Sequence, residues 1–314
     1  MRTDAHVHVW TDALADTGRR VGVRSVEPRD TLDRLRPFAA RAGVHRVVLV
    51  QTIGSQAETD ELLALADADS LVAGVVGWVD LAAPDVPDSL DGMLASAGGE
   101  KLVGIRSMVP VLGKGHTVDE IAATPLLDGM RALAERDLAL DLLLTPERLA
   151  DALTLVESAP GLRFVVDHLA KPDVAQHDLE TWCAHMAALA RHDTVAVKLS
   201  GLLTQLDADR QGIDALAPYV EAVLEDFGPD RVMIGSDWPL CEPVGGYATA
   251  MGSMDRLVAG WAATASAPEE RGDGGGWALD RHGDRRGSSA RERSAAIADR
   301  TRGGTAADWY RLGG

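Results

Sequence analysis

Arg2-Thr3-Asp4-Ala5-His6-Val7-His8 opens the chain as a short strand that ends on two histidines. Residues two apart on a strand point to the same face, so His6 and His8 share a side, and Asp4 is expected deeper on that side. Two later segments end in a similar way. One reads Arg163-Phe164-Val165-Val166-Asp167-His168 and the other Arg231-Val232-Met233-Ile234-Gly235-Ser236-Asp237. Three histidines and one aspartate therefore stand at the carboxyl ends of strands that are far apart in the chain. In a closed parallel barrel these ends meet at one mouth, where barrel enzymes keep their chemistry.

Eight strand candidates fall at 2–8, 46–52, 72–79, 102–108, 138–144, 162–168, 194–200 and 231–236. Most are near-continuous apolar runs, as strands buried on both faces of a parallel sheet require. Helical stripes lie between them, at 31–42, 58–68, 126–135, 146–158, 177–191 and 213–227. This alternation predicts an α/β fold, a (β/α)8 TIM barrel with some distortion. An open doubly wound sheet would carry a glycine-rich phosphate turn after its first strand, and His6-Val7-His8 stands there instead.

The barrel domain is expected to span 1–266. Residues 267–303 hold seven glycines and eight arginines and sustain no apolar stripe, which predicts a loop or disorder. Residues 304–314 read as a closing helix that packs on the barrel.

Among 314 residues the formal net charge is −17, which argues against a nucleic-acid partner, since phosphate binding needs a positive surface. No apolar run approaches the roughly 18 residues of a membrane span. Cys183 and Cys241 make no disulfide framework. The expected partner is a small molecule, the expected location the cytoplasm, and a homo-oligomer is compatible with all of this.

His6, His8 and His168 can ligate a divalent metal or polarise a carbonyl oxygen; the plainer reading is satisfied core histidines. Asp237 precedes Trp238-Pro239, so the chain turns there. It is a candidate general base for water, against the alternative of a turn cap. Asp167 is expected on the face opposite His168, as a strand-end pairing residue. Lys198, inside an apolar strand, needs a partner: a substrate carboxylate, or Asp141 or Asp167. Arg106 suits a carboxylate or polar oxygens of a substrate. Trp78 and Trp238 are candidate pocket walls, and Gln51 ends the second strand beside them.

In order along the chain, Asp4-Ala5-His6-Val7-His8-Val9-Trp10, Gly104-Ile105-Arg106, Val166-Asp167-His168-Leu169-Ala170-Lys171-Pro172, Lys198-Leu199-Ser200-Gly201 and Gly235-Ser236-Asp237-Trp238-Pro239 resemble the amidohydrolase-2 branch of the amidohydrolase superfamily. Within it the chain is similar to lactonases of the L-fuconolactonase and 2-pyrone-4,6-dicarboxylate lactonase type. The resemblance implies a barrel hydrolase that opens a lactone ring with water. It matches the family's metal-site histidines to His6, His8 and His168 and its last-strand aspartate to Asp237. Binuclear members also carry a Lys or Glu on strand four and a histidine on strand five, where this chain has Arg106 and Asp141. One Zn2+ held by His6, His8, His168 and Asp237, or direct polarisation by the histidines without metal, follows from that departure. A metal-dependent decarboxylase of the same superfamily and a non-catalytic small-molecule-binding barrel are the rival readings.

Overall fold

The structure, a computed structural model, describes residues 1–10, 31–108, 124–175, 179–207, 212–265 and 290–313. Eight parallel strands form one sheet in sequence order: β1 (Thr3–Val7), β2 (Arg46–Val50), β3 (Val72–Gly77), β4 (Leu102–Met108), β5 (Ala139–Leu143), β6 (Phe164–Val166), β7 (Val195–Leu199) and β8 (Val232–Ile234). The last edge returns to the first through the Val7–Trp238 bridge, where the His8 amide donates to the Trp238 carbonyl at 2.7 Å. The expected (β/α)8 barrel is what forms.

Helices cover it in turn: α1 (Leu32–Arg41), α2 (Gln56–Ala68), α3 (Val86–Ala95), α4 (Pro125–Glu135), α5 (Leu149–Ser158), α6 (Leu179–Ala190), α7 (Ala217–Phe227), α8 (Gly246–Ala265), α9 (Ala290–Asp299) and α10 (Thr305–Trp309). Two starts show their local reason. Thr31 accepts from the Arg34 amide ahead of α1, and Pro125 takes the first turn of α4, where its missing N–H costs nothing. Of the segment expected to be irregular, 267–289 lies outside the described residues. The remainder includes α9, which packs beside α8.

Alternation along the strands sorts the core into two shells. Val47 and Leu49 face the helices, whereas Val48 and Val50 face the lumen. Lumen residues Val76, Ala139, Val165, Ala196 and Met233 form an apolar floor, and Tyr310 and Leu312 enter that floor from the chain's end. One step up the same strands the lumen turns polar: Asp141 follows Ala139, Asp167 follows Val165 and Lys198 follows Ala196. The floor is thus a packed plug, and the chemistry sits above it at the carboxyl ends of the strands.

β1 departs from simple alternation. Its pairing with β2 slips between Asp4 and Val7, with one extra residue on the β1 side. This bulge lets Ala5 and His6 both face inward, while Asp4 turns toward Tyr247 of α8. The expectation that Asp4 shares the histidine face is therefore corrected. Asp4 instead ties the barrel seam, accepting from the His6 amide at 3.1 Å and the Ser236 amide at 2.9 Å.

Candidate active site

His6, His8 and Asp237 converge at the mouth. The Nε2 atoms of His6 and His8 lie 3.3 Å apart, and Asp237 Oδ1 is 3.7 Å from the first and 3.4 Å from the second. His8 is oriented from behind: its Nδ1 meets the Val50 carbonyl at 2.7 Å. A carbonyl only accepts, so Nδ1 carries the proton and Nε2 presents a lone pair. Thr52 Oγ1 stands 3.3 Å from the same Nδ1 and accepts from Trp10 Nε1 at 2.9 Å, and the Trp10 ring stacks parallel to His8.

Asp237 takes its place through backbone geometry. It has φ +57, its amide donates to the His6 carbonyl at 3.0 Å, and the next residues turn away. Asp237 Oδ1 is buried without a hydrogen bond among the described residues. Burial favours the neutral acid, but the neighbouring imidazole environment, His168 first, outweighs it and holds this carboxyl well below the ordinary range. It is an anion.

His168 is not on a strand. β6 ends at Val166, and His168, Leu169, Ala170 and Lys171 all have φ between +50 and +57. Four successive non-glycine residues in the left-handed region are strained, and this tight turn lies beside the chemistry. It puts the His168 ring 4.5 Å from that of His6 and its Nδ1 2.8 Å from Ser200 Oγ. Gly201 completes the wall. A Cβ there would fall 2.7 Å from Asp237 Oδ2 and 2.9 Å from His168 Nδ1, so only glycine admits both side chains.

Asp167 does not take the face opposite His168. It points into the lumen, with Oδ1 3.4 Å from His6 Nδ1 and 3.1 Å from Lys198 Nζ, and Oδ2 3.4 Å from Arg106 Nη1. Strand parity from Val165 puts it inside. The turn after Val166 then adds His168 to the same cavity. Lys198 and His6 hold the Asp167 carboxyl well below its ordinary range despite burial. Burial pushes His6 well below the usual histidine range, and the nearby Lys198 and His168 act in the same direction against Asp167. His6 is neutral.

The two lumen cations are committed to the protein itself. Lys198 pairs with both expected carboxylates, at 2.5 Å to Asp141 Oδ2 and 3.1 Å to Asp167 Oδ1. Arg106 donates to the Gln51 carbonyl, contacts Asp167, and lies 3.4 Å from His6 Nε2. Gln51 Nε2 returns a 3.4 Å bond to the Arg106 carbonyl, and its Oε1 is buried without a partner among the described residues. Trp78 is half-buried just past β3, against Gly54. Trp238 is fully enclosed: its Nε1 donates to Glu242 at 2.8 Å and the Arg34 guanidinium stacks over its ring. It braces the turn instead of walling a pocket.

The donor atoms suit a divalent cation. Two imidazole nitrogens and one carboxylate oxygen with edges of 3.3, 3.4 and 3.7 Å form a triangle. A tetrahedral zinc with bonds of about 2.0–2.2 Å has ligand–ligand edges of roughly 3.3–3.6 Å. An oxygen left without a donor and a lone pair fixed on His8 Nε2 fit the same conclusion. His168 does not join this triangle. It groups with His6 and Asp167, so the expected four-ligand set resolves into two overlapping clusters that share His6.

A cleft of about 390 Å³ lies elsewhere, lined by Met1, Arg2, Gly43, Ala298 and Arg302 at the amino-terminal end of β1. It is remote from these groups. Among the described residues no helix is long and apolar enough to cross a membrane.

Residues 3–312 match the amidohydrolase family profile. An L-fucono-1,5-lactonase from Burkholderia ambifaria is 38% identical over 255 residues, covering 78% of this chain and 83% of that one. A second L-fucono-1,5-lactonase, from Burkholderia multivorans, is 32% identical and covers 86% of this chain and 92% of that one. A crystal structure of an amidohydrolase from Burkholderia multivorans with bound zinc is 28% identical, superposes with a TM-score of 0.76 and covers 100% of both chains. With its barrel, its paired histidines at the end of β1 and its aspartate past β8, this chain belongs to the amidohydrolase family.

Proposed function

We propose that this protein opens the ring of a neutral sugar 1,5-lactone by adding water to its carbonyl. The observation that carries the proposal is the Asp237 anion set within 3.7 Å of two imidazole nitrogens at the barrel mouth. In this reading Asp237 accepts the proton of the attacking water. A zinc ion held by His6, His8 and Asp237 would supply Lewis acidity for the carbonyl oxygen. The tetrahedral adduct then collapses, the ring C–O bond breaks, and the proton held by Asp237 passes to the departing ring oxygen. His168, beside Asp237, keeps the carboxyl ionised for the next turnover. Gln51 Oε1 is an acceptor for a substrate hydroxyl, and Trp78 offers a ring face to a sugar.

Substrate charge follows from the cations. Arg106 and Lys198 were expected to be receivers of a substrate carboxylate. Both are buried and already face Asp167 or Asp141, so binding a further anion would mean breaking existing ion pairs at a cost of several kcal/mol, on the order of 3–5. This favours an uncharged lactone over a dicarboxylate, and the lactonases similar to the chain support the same class. The cytoplasm as workplace belongs to the same reading.

The test is acid release in a pH-stat from L-fucono-1,5-lactone, related aldonolactones and 2-pyrone-4,6-dicarboxylate, with CO2 release from aromatic acids as a separate arm. Turnover of neutral sugar lactones is expected. Turnover confined to the dicarboxylate, or CO2 release without ring opening, would replace the proposal.

A further inference from the structure

His6 Nδ1 stands between a donor and an acceptor at the same distance: Lys198 Nζ and Asp167 Oδ1 are each 3.4 Å away. Which of them it bonds decides where the imidazole proton lies. If Lys198 donates to Nδ1, the proton is on Nε2, and the lone pair needed at the mouth is lost. If Nδ1–H donates to Asp167, Nε2 is free. The surroundings weigh on this choice. Lys198 Nζ is much closer to Asp141 Oδ2, at 2.5 Å. That same oxygen accepts from the Tyr310 hydroxyl at 2.6 Å. Tyr310 comes from the end of α10, 169 positions beyond Asp141, and is 1% exposed. Its ring also lies under the ammonium, with Lys198 Nζ 5.2 Å from the centroid. On the other side, Asp167 Oδ1 is buried, and beyond its ion pair with Lys198 Nζ at 3.1 Å it has no hydrogen-bond donor among the described residues other than the one His6 Nδ1–H can supply.

We propose that Tyr310 and Asp141 are positioning residues that draw Lys198 away from His6, so that His6 donates Nδ1–H to Asp167 and turns an unprotonated Nε2 toward His8 and Asp237. The end of the chain then does more than plug the floor: it sets the tautomer of a histidine at the mouth through three side chains. The inference rests on the proposed role of His6, and its test needs no lactone, so the two fail separately.

The experiment is nitrogen-15 NMR of the metal-free full chain labelled in its histidines, with the His6 ring assigned through bonds to its backbone. The expected wild-type result is a proton on Nδ1. Tyr310→Phe keeps the ring under Lys198 and removes only the hydroxyl, whose hydrogen bond holds the Asp141 carboxylate in place and favours its charged form, the form that attracts Lys198. It is expected to move part of the His6 population to Nε2–H and to weaken Zn2+ binding about 10-fold in a chelator competition. In a lactone assay it should lower kcat with KM unchanged. Asp141→Asn should shift the tautomer in the same direction. A wild-type His6 proton on Nε2 overturns the proposal even if neither variant folds. A folded Tyr310→Phe with the wild-type tautomer and wild-type Zn2+ affinity overturns it as well, leaving Tyr310 as floor packing.

Discussion

His8 Nδ1 bonds the Val50 carbonyl at 2.7 Å, and its Nε2 thereby faces His6 Nε2 at 3.3 Å. Two ring nitrogens at that distance make a place for a cation between them, and Asp237 Oδ1, 3.4 and 3.7 Å from the two, would complete its ligand set. This arrangement yields the first prediction. His8→Asn, whose side-chain amide can still donate to the Val50 carbonyl, should retain the fold but lose zinc from the purified protein and about 100-fold or more in kcat/KM. Metal content by atomic emission beside lactone turnover checks this; full zinc occupancy in the variant would remove His8 from the ligand set.

Gly201 is the narrowest point of the site wall. Gly201→Ala puts a methyl group where Asp237 and His168 now lie and also requires a non-glycine residue at φ +63. The stability cost is expected to be modest, about 1–2 kcal/mol. The loss in kcat should be disproportionate, roughly 10-fold or more, since both displaced groups work at the mouth. Urea unfolding together with kinetics separates the two effects. Unchanged kcat would mean that the wall has room to give.

Glu58 predicts a pH dependence of stability. It is buried on α2, its two oxygens accept from the Thr52 and Ile53 amides at 2.7 and 2.6 Å, and burial raises its pKa to about 7 from 4.5. The folded state therefore binds a proton that the unfolded chain has already released between those values. Stability from this group is fullest below pH 4.5, falls as pH rises through 4.5–7 and levels off above. The span is at most about 3 kcal/mol. Urea midpoints of the wild type and Glu58→Gln at several pH values measure it. The difference between the two proteins should change across that window, and a constant difference would contradict the assignment.

Much of this was legible in the sequence, for physical reasons. Strands buried on both faces read as apolar runs, and a polar residue where such a run stops stands out, so His6, His8, His168 and Asp237 announce themselves. Alternation carries that reading only while the strand lasts. The bulge in β1 reverses it for Asp4, and the turn after Val166 breaks it for His168, which joins Asp167 on the lumen side. Local sequence also cannot show which cations are already paired. Lys198 was weighed between a substrate and one of two aspartates, and it holds both aspartates. Arg106, alone on β4 in the sequence, turns out to face Asp167 across the lumen. Tyr310 gave no signal at all, because a tyrosine on a terminal helix reads as packing and its partner is in another part of the chain.

The central claim concerns Asp237. The most direct measurement is hydrolysis of L-fucono-1,5-lactone by Asp237→Asn beside wild type, at equal zinc content, with near-UV circular dichroism as the check on folding. The account predicts active wild type and a folded variant whose kcat is lower by a factor of about 100–1,000. A folded variant that hydrolyses the lactone at the wild-type rate would contradict it.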